Sequence, residues 1–314
     1  MQRPVRVGVI GVGSLGQHHA RVYAEAPEAD LVGVVDANAG RTRDIAIKHH
    51  CRAFPNFAEM FGQVDAVSVA VPTPLHHQIA RECLQAGVHV LVEKPMTVTL
   101  AEAEELVGLA AARKLILQVG HIERFNSALR ASLGTIKAPR LIDCRRWAPF
   151  TARGADVDVV LDLMIHDLDI VLSVVDAGVR HVDAQGVSLV SPTTDVAYAQ
   201  VLFQTGCMAT FSANRLAEEK LREIRFYESD SFLVVDLLAQ TAKIGRRIVG
   251  STGNSEIITE VIRGDGQEPL KLELQAFLES ILHGTPPLVS GQAGMAALRL
   301  SESIMAQIGR ADQR

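Results

Sequence analysis

Residues 5–36 decide the fold of this chain and read VRVGVIGVGSLGQHHARVYAEAPEADLVGVVD. The apolar runs at the two ends predict buried strands. Between them, Gly11, Gly13 and Gly16 have G-x-G-x-x-G spacing, and a helical segment begins near Ser14. In such a loop the first glycine makes a tight turn, the second admits a pyrophosphate, and the third lets the helix pack on the strand. The stretch therefore predicts a dinucleotide site with the phosphates at a helix N-terminus.

Asp36 follows the second strand and indicates which dinucleotide binds. A carboxylate at this position accepts hydrogen bonds from the adenosine ribose hydroxyls and repels a 2′-phosphate. Ala37 and Asn38 come next, and the nearest cation is Arg41. The sequence therefore favours NAD over NADP.

Length and composition limit the class of protein. A chain of 314 residues is long enough for two domains, and 48% hydrophobic with 21% charged residues is ordinary for a soluble globular protein. A net charge of −5 gives no electrostatic footprint for nucleic acid or an anionic membrane. No stretch of about 20 apolar residues is free of charge. The widely spaced cysteines are Cys51, Cys83, Cys144 and Cys207, and they predict reduced core thiols in a cytoplasmic protein.

Arg3 and Arg6 precede an apolar stretch, and this arrangement also resembles the start of a signal peptide. We expect no cleavage there, because it would destroy the nucleotide site.

Apolar runs and helical segments alternate as far as about residue 120. Further strands are predicted at residues 65–71, 88–92 and 115–119. Near-continuous apolar strands between helices are typical of a parallel sheet covered on both faces. The expected fold class is α/β, with a doubly wound Rossmann domain in residues 1–120.

The pattern changes after residue 139. One long helix is predicted at residues 157–175. Strands are predicted at residues 182–190, 196–204, 208–213, 223–228 and 232–238, and their short connections indicate an antiparallel sheet. Residues 121–314 are thus expected to form an α+β domain for substrate binding and oligomerisation, with C-terminal helices that pack back on the first domain.

Lys94 is the first candidate for chemistry. It lies between Glu93 and Pro95 at the end of the apolar run VHVLV, where a doubly wound sheet presents residues to its ligand. A partly desolvated lysine beside a positively charged nicotinamide has a lowered pKa, which suits proton transfer from an alcohol. The alternative is a solvent-exposed lysine with Glu93 as its salt-bridge partner.

A polar stripe on the predicted long helix supplies further candidates. Its members recur at steps of four, four, three and four residues: Asp158, Asp162, His166, Asp169 and Ser173. Asp167 lies off this stripe. The stripe lacks Lys, Arg and Glu, which favours a water-lined cleft in which Asp162 orients His166 or keeps it charged. An ordinary half-exposed helix is the alternative.

Pairs of adjacent histidines occur three times: His18-His19, His49-His50 and His76-His77. Neighbouring helical residues point about 100° apart, so one pair cannot readily hold one ion. We expect no metal.

Four motifs, in order, carry a resemblance: GVGSLG from Gly11, VPTPLH from Val71, EKP from Glu93 and DLMIH from Asp162. They resemble the Gfo/Idh/MocA oxidoreductases over essentially the whole chain. That resemblance implies a C-terminal domain with a large open, mostly antiparallel sheet that packs against a partner subunit as a homodimer or homotetramer. It also implies that Lys94, Asp162 and His166 are catalytic. The cofactor-binding candidates are Gly11, Gly13, Ser14, Leu15, Gly16, Asp36, Pro72, Thr73, Leu75, His76, Glu93 and Lys94.

A narrower resemblance comes from GHIERFN at residues 120–126 and DLMIHDLD at residues 162–169. Many family members have a glycine-rich run before the aspartate, whereas this chain has DVVL. These features are similar to UDP-N-acetylglucosamine 3-dehydrogenases, although Ser127 stands where that subgroup often has proline. A substrate diphosphate needs cations. The substrate-binding candidates are His121, Arg124, Asn126, Arg146, Arg153, Asp162 and His166.

The resemblance implies that the 3-hydroxyl of UDP-N-acetylglucosamine is oxidised by NAD, so that a PLP-dependent aminotransferase can install a 3-amino group for lipid A and related surface glycans. His166 is the first choice of base, with Lys94 polarising the oxygen, and these two roles are exchangeable. Two rivals stay open. One is a dehydrogenase of the same family for inositol, a simple sugar or a UDP-uronic acid, and the other is a non-catalytic NAD-binding sensor.

Overall fold

The computed structural model describes residues 3–151, 157–249 and 254–311. The chain divides into two compact units. The first contains Met1–Ile122 and Glu268–Met295, and the second contains Glu123–Gln267 and Ala296–Arg314. Within the described ranges no helix is both long and apolar enough to cross a membrane.

The strands are β1 Val5–Ile10, β2 Ala29–Val35, β3 Arg52–Ala53, β4 Ala66–Val69, β5 His89–Glu93, β6 Leu117–Gly120, β7 Leu141–Trp147, β8 Val179–Val187, β9 Val196–Phe203, β10 Met208–Asn214, β11 Leu221–Tyr227, β12 Ser231–Asp236, β13 Thr241–Val249 and β14 Ser255–Arg263. The α-helices are α1 Gly16–Glu25, α2 Ala39–Lys48, α3 His76–Gln85, α4 Leu100–Arg113, α5 Ser127–Leu133, α6 Ile165–Val174, α7 Pro269–His283 and α8 Gly291–Ala311.

The first unit is built on a six-stranded sheet in the order β3-β2-β1-β4-β5-β6. All its strand pairs are parallel. This is the doubly wound order. Successive strands are added on one side of β1 as far as β3 and then on its other side from β4, and this switch point leaves a ligand crevice at the carboxyl ends of β1 and β4. The α/β class and the Rossmann sheet predicted from the sequence are therefore confirmed.

Local sequence explains how the helices of this unit begin and pack. Thr99 and Glu102 form a capping box at the start of α4, in which each side chain bonds the other residue's backbone N–H. The side chain of Asn38 accepts a hydrogen bond from the backbone of Arg41 at the start of α2. Phe277 of α7 is buried in the core of this unit, so a late helix completes the first domain's core.

The second unit contains an eight-stranded sheet in the order β14-β13-β12-β11-β7-β10-β9-β8. Every neighbouring pair is antiparallel except β7 and β10, which run parallel. The predicted large, mostly antiparallel sheet is confirmed. One sheet face is buried against helices, and its core includes Phe211 of β10, Leu168 of α6 and Ile304 of α8.

The opposite face of this sheet is open in the chain. Along β9 the residues alternate, so Ala197, Ala199 and Val201 are buried while Tyr198 is 57% exposed. A groove of about 570 Å³ lies on this outer face and is lined in part by Trp147 and Tyr198. We call this surface, carried by β7, β8, β9 and β10, the outer sheet face.

Four strands were not predicted, namely β3, β7, β13 and β14. The strand predicted at residues 182–190 lies three residues earlier, at Val179–Val187. β7 has buried Arg146 on its core face, which breaks the apolar alternation. Nearly all of β14 is exposed, so it carries no two-residue period to detect.

The single helix predicted at residues 157–175 is also wrong in part. Val160–Met164 is a π-helix, and α6 begins only at Ile165. The wider i→i+5 turn lies between Asp158 and His166 and locally changes the pitch of the helix.

Candidate active site

The glycine loop joins β1 to α1 and shows a different constraint at each glycine. Gly11 has φ +85°, and a Cβ there would lie 2.6 Å from the Ala70 carbonyl oxygen. A Cβ on Gly16 would collide with the Gly11 carbonyl oxygen. By contrast, a Cβ on Gly13 would meet only the Arg41 Nη1 atom, at 3.6 Å. The space beside Gly13 is what a pyrophosphate approaching the backbone requires.

Asp36 is held at the carboxyl end of β2 by backbone groups. Its Oδ2 accepts a hydrogen bond from the Val12 amide at 2.9 Å, and its Oδ1 accepts one from the Asn38 amide at 2.8 Å. The Arg41 Nη1 atom lies 3.5 Å from both carboxylate oxygens. The carboxylate is thus oriented beside the glycine loop, as recognition of ribose hydroxyls requires.

The segment after β4 is a short 3-10 turn, Thr73–Leu75, preceded by Pro72. His76 follows it, and its buried ring lies 2.9 Å from the Pro95 carbonyl oxygen through Nδ1 and 2.8 Å from the Val71 carbonyl oxygen through Nε2. Burial lowers the pKa of His76, against the effect of these two contacts and of Glu93. His76 therefore joins this turn to the segment after β5.

Glu93 is the buried member of the EKP motif and is 8% exposed. Its Oε1 is 3.0 Å from the His19 Nε2 of α1, and its Oε2 accepts a hydrogen bond from the Lys94 amide at 3.3 Å. A Cβ on Gly120 would lie 2.9 Å from Oε2, so glycine makes room for this carboxylate. Burial raises the pKa of Glu93, but the His19 hydrogen bond and nearby positive charge outweigh it, and the net pKa is lowered.

Lys94 is half-buried directly after β5, and its backbone is fixed through Glu93. Leu15 and Leu75 are exposed apolar side chains, in the loop before α1 and in the 3-10 turn respectively. The segments after β1, β2, β4 and β5 all leave the same edge of a parallel sheet. The structure therefore brings all the predicted cofactor-binding residues together at that edge.

The first and last residues of the HIERFN segment, His121 and Asn126, are both buried. The Asn126 side chain accepts a hydrogen bond from the Leu129 amide at the start of α5, and its Nδ2 donates to the Leu237 carbonyl at 2.9 Å. His121 is almost fully buried after β6. The structure thus gives Asn126 a helix-capping role, and its contact with the substrate stays a prediction.

Arg146 is the centre of a buried ion network and is 2% exposed. Its Nε and Nη2 donate to Asp167 at 3.1 and 2.7 Å, and its Nη1 donates to Glu123 at 2.8 Å. Glu123 also accepts from Arg222 at 3.1 Å. Burial lowers the pKa of Arg146, but its carboxylate partners dominate and the net pKa is raised. Arg146 therefore binds Asp167 and Glu123 in this network, and its assignment to a substrate diphosphate stays a prediction.

The other two predicted arginines differ from each other. The Arg124 Nη1 atom lies 3.5 Å from Oδ1 of Asp169, which is buried on α6. Asp169 thus faces a cation, and the water-lined stripe expected from the sequence does not extend to it. Arg153 lies outside the described residues.

Asp162 and His166 are both half-buried, one in the π-helix and the other in the first turn of α6. Asp162 lines a cavity of about 210 Å³ in the second unit. The next residue along α6 from His166 is Asp167, whose carboxylate binds Arg146. The start of α6 is therefore fixed from the core side while His166 and Asp162 stay partly accessible.

Comparison with known proteins identifies the family. Residues 5–121 match the model described as an oxidoreductase family with an NAD-binding Rossmann fold. Residues 118–232 match the GFO/IDH/MocA C-terminal domain. The chain belongs to the Gfo/Idh/MocA oxidoreductase family.

Two family members illustrate the range of relatives. The chain is 39% identical to UDP-N-acetylglucosamine 3-dehydrogenase of Acidithiobacillus ferrooxidans over 299 residues, 94% of each protein. It is 27% identical to myo-inositol 2-dehydrogenase of Thermotoga maritima over 315 residues, again 94% of each.

Solved structures give the same family fold. UDP-N-acetylglucosamine 3-dehydrogenase GnnA of A. ferrooxidans superposes with a TM-score of 0.90 at 36% identity, covering 98% of both chains. Scyllo-inositol dehydrogenase of Lactobacillus casei, solved with NAD(H) and scyllo-inositol, has a TM-score of 0.81 at 20% identity and 98% coverage of both chains. The second likeness shows the shared fold alone.

This Gfo/Idh/MocA chain is thus an oxidoreductase with an NAD-binding Rossmann domain, which confirms the predicted enzyme class and cofactor. The open space at Gly13 and the oriented carboxylate of Asp36 fit that cofactor.

Sequence reasoning missed several residues around the candidate site: His19, Glu123, Asp167, Arg215 and Lys220. His19 was considered only as half of a histidine pair, and Asp167 only as an exception to a stripe. The partners of His19, Glu123 and Asp167 are distant in sequence, so no spacing rule could find them.

Proposed function

We propose that this protein oxidises the 3-hydroxyl of UDP-N-acetylglucosamine to the 3-keto sugar with NAD. The observation that carries the proposal is 39% identity over 94% of both chains with an enzyme of that name. The candidate residues Lys94, Asp162 and His166 support it, since a protein that only binds NAD does not need them. Myo-inositol 2-dehydrogenase of Thermotoga maritima is a more distant relative, at 27% identity.

Bound NAD supplies the acceptor for the hydride that leaves C3. The chain's own residues handle the proton of the 3-hydroxyl. In our proposal His166 accepts it, Lys94 polarises the oxygen, and Asp162 orients His166 or stabilises its charged form. The roles of Lys94 and His166 are exchangeable. The rigid attachment of Lys94 through Glu93, and of α6 through Asp167, favours positioned acid–base groups.

A 3-keto nucleotide sugar is the substrate that a PLP-dependent aminotransferase needs to install a 3-amino group. We therefore propose a place before such an enzyme in lipid A or related surface-glycan synthesis. Cytoplasmic location fits cysteines that are all unpaired in the structure, namely Cys51, Cys83, Cys144 and Cys207.

Nicotinamide absorbance tests the proposal directly. Purified protein, NAD and UDP-N-acetylglucosamine are combined with a glutamate-dependent 3-aminotransferase that draws the equilibrium forward. Free N-acetylglucosamine and myo-inositol run in parallel. We expect NADH and a 3-amino product with the nucleotide sugar alone.

Turnover of a free polyol instead would keep the family and refute the nucleotide-sugar role. Bound NAD without turnover on any sugar, including a UDP-uronic acid, would indicate a sensor. Single-turnover runs without the aminotransferase would show whether NADH leaves in each cycle.

A further inference from the structure

The small cavity that Asp162 lines in the second unit contains two cationic side chains as well. Among the residues that the structure describes, Arg215 and Lys220 line it with Asp162, Leu163 and residues 148, 149 and 151. These described residues bring two cationic side chains and one carboxylate to a space of about 210 Å³. Such a site favours an anionic ligand.

Arg215 is a fixed member of this cavity. It follows β10 directly and is buried. Its Nη2 donates to the Val157 carbonyl oxygen, and its backbone amide donates to the Asp195 carbonyl at 3.1 Å. The guanidinium thus contributes positive potential from a set position.

Lys220 is the exposed cation of the same cavity. It is exposed and comes directly before β11. Among the residues that the structure describes, it forms no ion pair and no hydrogen bond through its side chain. Glu218 and Glu219 precede it in the chain, but neither lines the cavity. Its ammonium group is therefore available to an anion of the ligand.

The chemistry of the proposed substrate places its phosphates near Asp162. In a sugar nucleotide the diphosphate is attached to C1, and a single ring carbon separates C1 from the reacting C3. A cation that binds the diphosphate must then lie within about one sugar ring of the residue that serves the 3-hydroxyl. Arg124 and Arg146 already face Asp169 and Asp167.

We propose that Lys220 binds the diphosphate of the substrate, in a cavity whose positive potential Arg215 reinforces. This inference rests on the proposed function, because it takes Asp162 as the residue at the reacting end of the sugar. It makes Lys220 a residue for substrate specificity with no part in the proton transfer.

UDP is the probe, and its Kd is measured by titration calorimetry on the full chain in the presence of NAD. Lys220→Ala should weaken UDP binding about 10- to 100-fold, the range of a hydrogen bond to a charged group. Lys220→Arg should restore most of it. Lys243→Ala, which removes an exposed lysine of β13 in the same unit, should leave the Kd unchanged. With UDP-N-acetylglucosamine, Lys220→Ala should raise KM while kcat stays near that of the wild type.

The outcomes separate the two proposals. If wild type and Lys220→Ala bind UDP equally well, Lys220 does not hold the diphosphate. If the wild type binds glucuronate but not UDP, the cavity serves a sugar carboxylate and the inference fails. If UDP binds through Lys220 but UDP-N-acetylglucosamine is not oxidised, the inference stands for another UDP-sugar and the proposed reaction fails.

Discussion

Proton transfer is the residue-scale question, and it is tested on Lys94 and His166. Positioned acid–base groups are worth about 10²–10⁴ in rate, so Lys94→Ala and His166→Ala should each lower kcat by that order. Binding of NAD, measured by calorimetry, should change little. Matched controls are Lys48→Ala and His181→Ala, which remove exposed side chains on α2 and β8. A Lys94 or His166 variant with near-normal turnover would remove that residue from the mechanism.

Glu93 offers a second residue-scale test, through pH. Its pKa is lowered in the folded protein despite burial, chiefly by the His19 hydrogen bond. The ionised carboxylate therefore contributes stability that is fully present above the ordinary glutamate pKa and is lost as the pH falls through the folded value. Glu93→Gln should lower the free energy of unfolding at neutral pH, and the difference from wild type should shrink as the pH falls below about 4, towards about 3.

Urea denaturation at neutral pH and at pH about 3 measures this difference in the free energy of unfolding. Glu59→Gln changes an exposed carboxylate in the same unit and should leave both values near those of the wild type. A difference between Glu93→Gln and wild type that stays constant with pH would show that the His19 contact does not hold Glu93 ionised.

Two variants of the glycine loop should affect different properties, one the stability of the fold and the other the binding of NAD. Gly16→Ala places a Cβ against the Gly11 carbonyl oxygen, so the thermal midpoint of unfolding should fall. The Cβ added in Gly13→Ala meets only the end of the Arg41 side chain, so the thermal midpoint of unfolding should stay near that of the wild type. The Kd for NAD should rise about tenfold or more, because the methyl group occupies the space through which the pyrophosphate approaches the backbone.

Gly108→Ala is the control for both loop variants. It lies within α4 with nothing near its added Cβ, and should leave NAD binding unchanged while adding about 0.5–1 kcal/mol of stability. Unaltered NAD binding in Gly13→Ala would contradict the assignment of this loop to the pyrophosphate.

Helix α6 is an element held in place by buried charge. Arg146→Met leaves Asp167 and Glu123 in the core without their main cation, and removal of one partner of such a pair costs about 3–5 kcal/mol. The double variant Arg146→Met/Asp167→Leu should recover much of that loss, since Arg222 still bonds Glu123. Urea denaturation measures both.

Arg145→Met is the neighbouring control. Arg145 lies on the other face of β7 and pairs with Asp143 near the surface, so its removal should cost no more than about 1 kcal/mol. Equal losses for Arg145→Met and Arg146→Met would show that the buried network adds nothing to stability.

These elements also show how far the sequence could predict the molecule. The glycine loop, Asp36 and the strand ends were predictable, because residues close in sequence carry their function. The polar stripe was correct only in part: Asp162 and His166 are half-buried, whereas Asp169 is buried against Arg124. Strand β7 was missed because Arg146, an ordinarily exposed residue type, is on its core face, and its partners lie elsewhere in the chain.

The whole molecule is expected to self-associate through the outer sheet face. The first unit's sheet is covered by helices on both faces, as its near-continuous apolar strands predicted. The second unit's sheet has an open face with exposed Tyr198 and Val187. Large exposed apolar surfaces usually mark an interface. This is the surface on which the resemblance to the family implies a homodimer or homotetramer.

We therefore expect the wild type to sediment as a dimer or tetramer, and Tyr198→Lys to shift it towards monomer. A buried lysine without a partner at the centre of such an interface would be costly, because its charge loses water without gaining an opposite charge. Ile47→Lys is the control: it places the same charge on an exposed apolar position of α2 in the first unit and should leave the assembly intact. Analytical ultracentrifugation over a range of concentrations distinguishes the two variants. Equal sedimentation of wild type and Tyr198→Lys would exclude the outer sheet face as the contact between subunits.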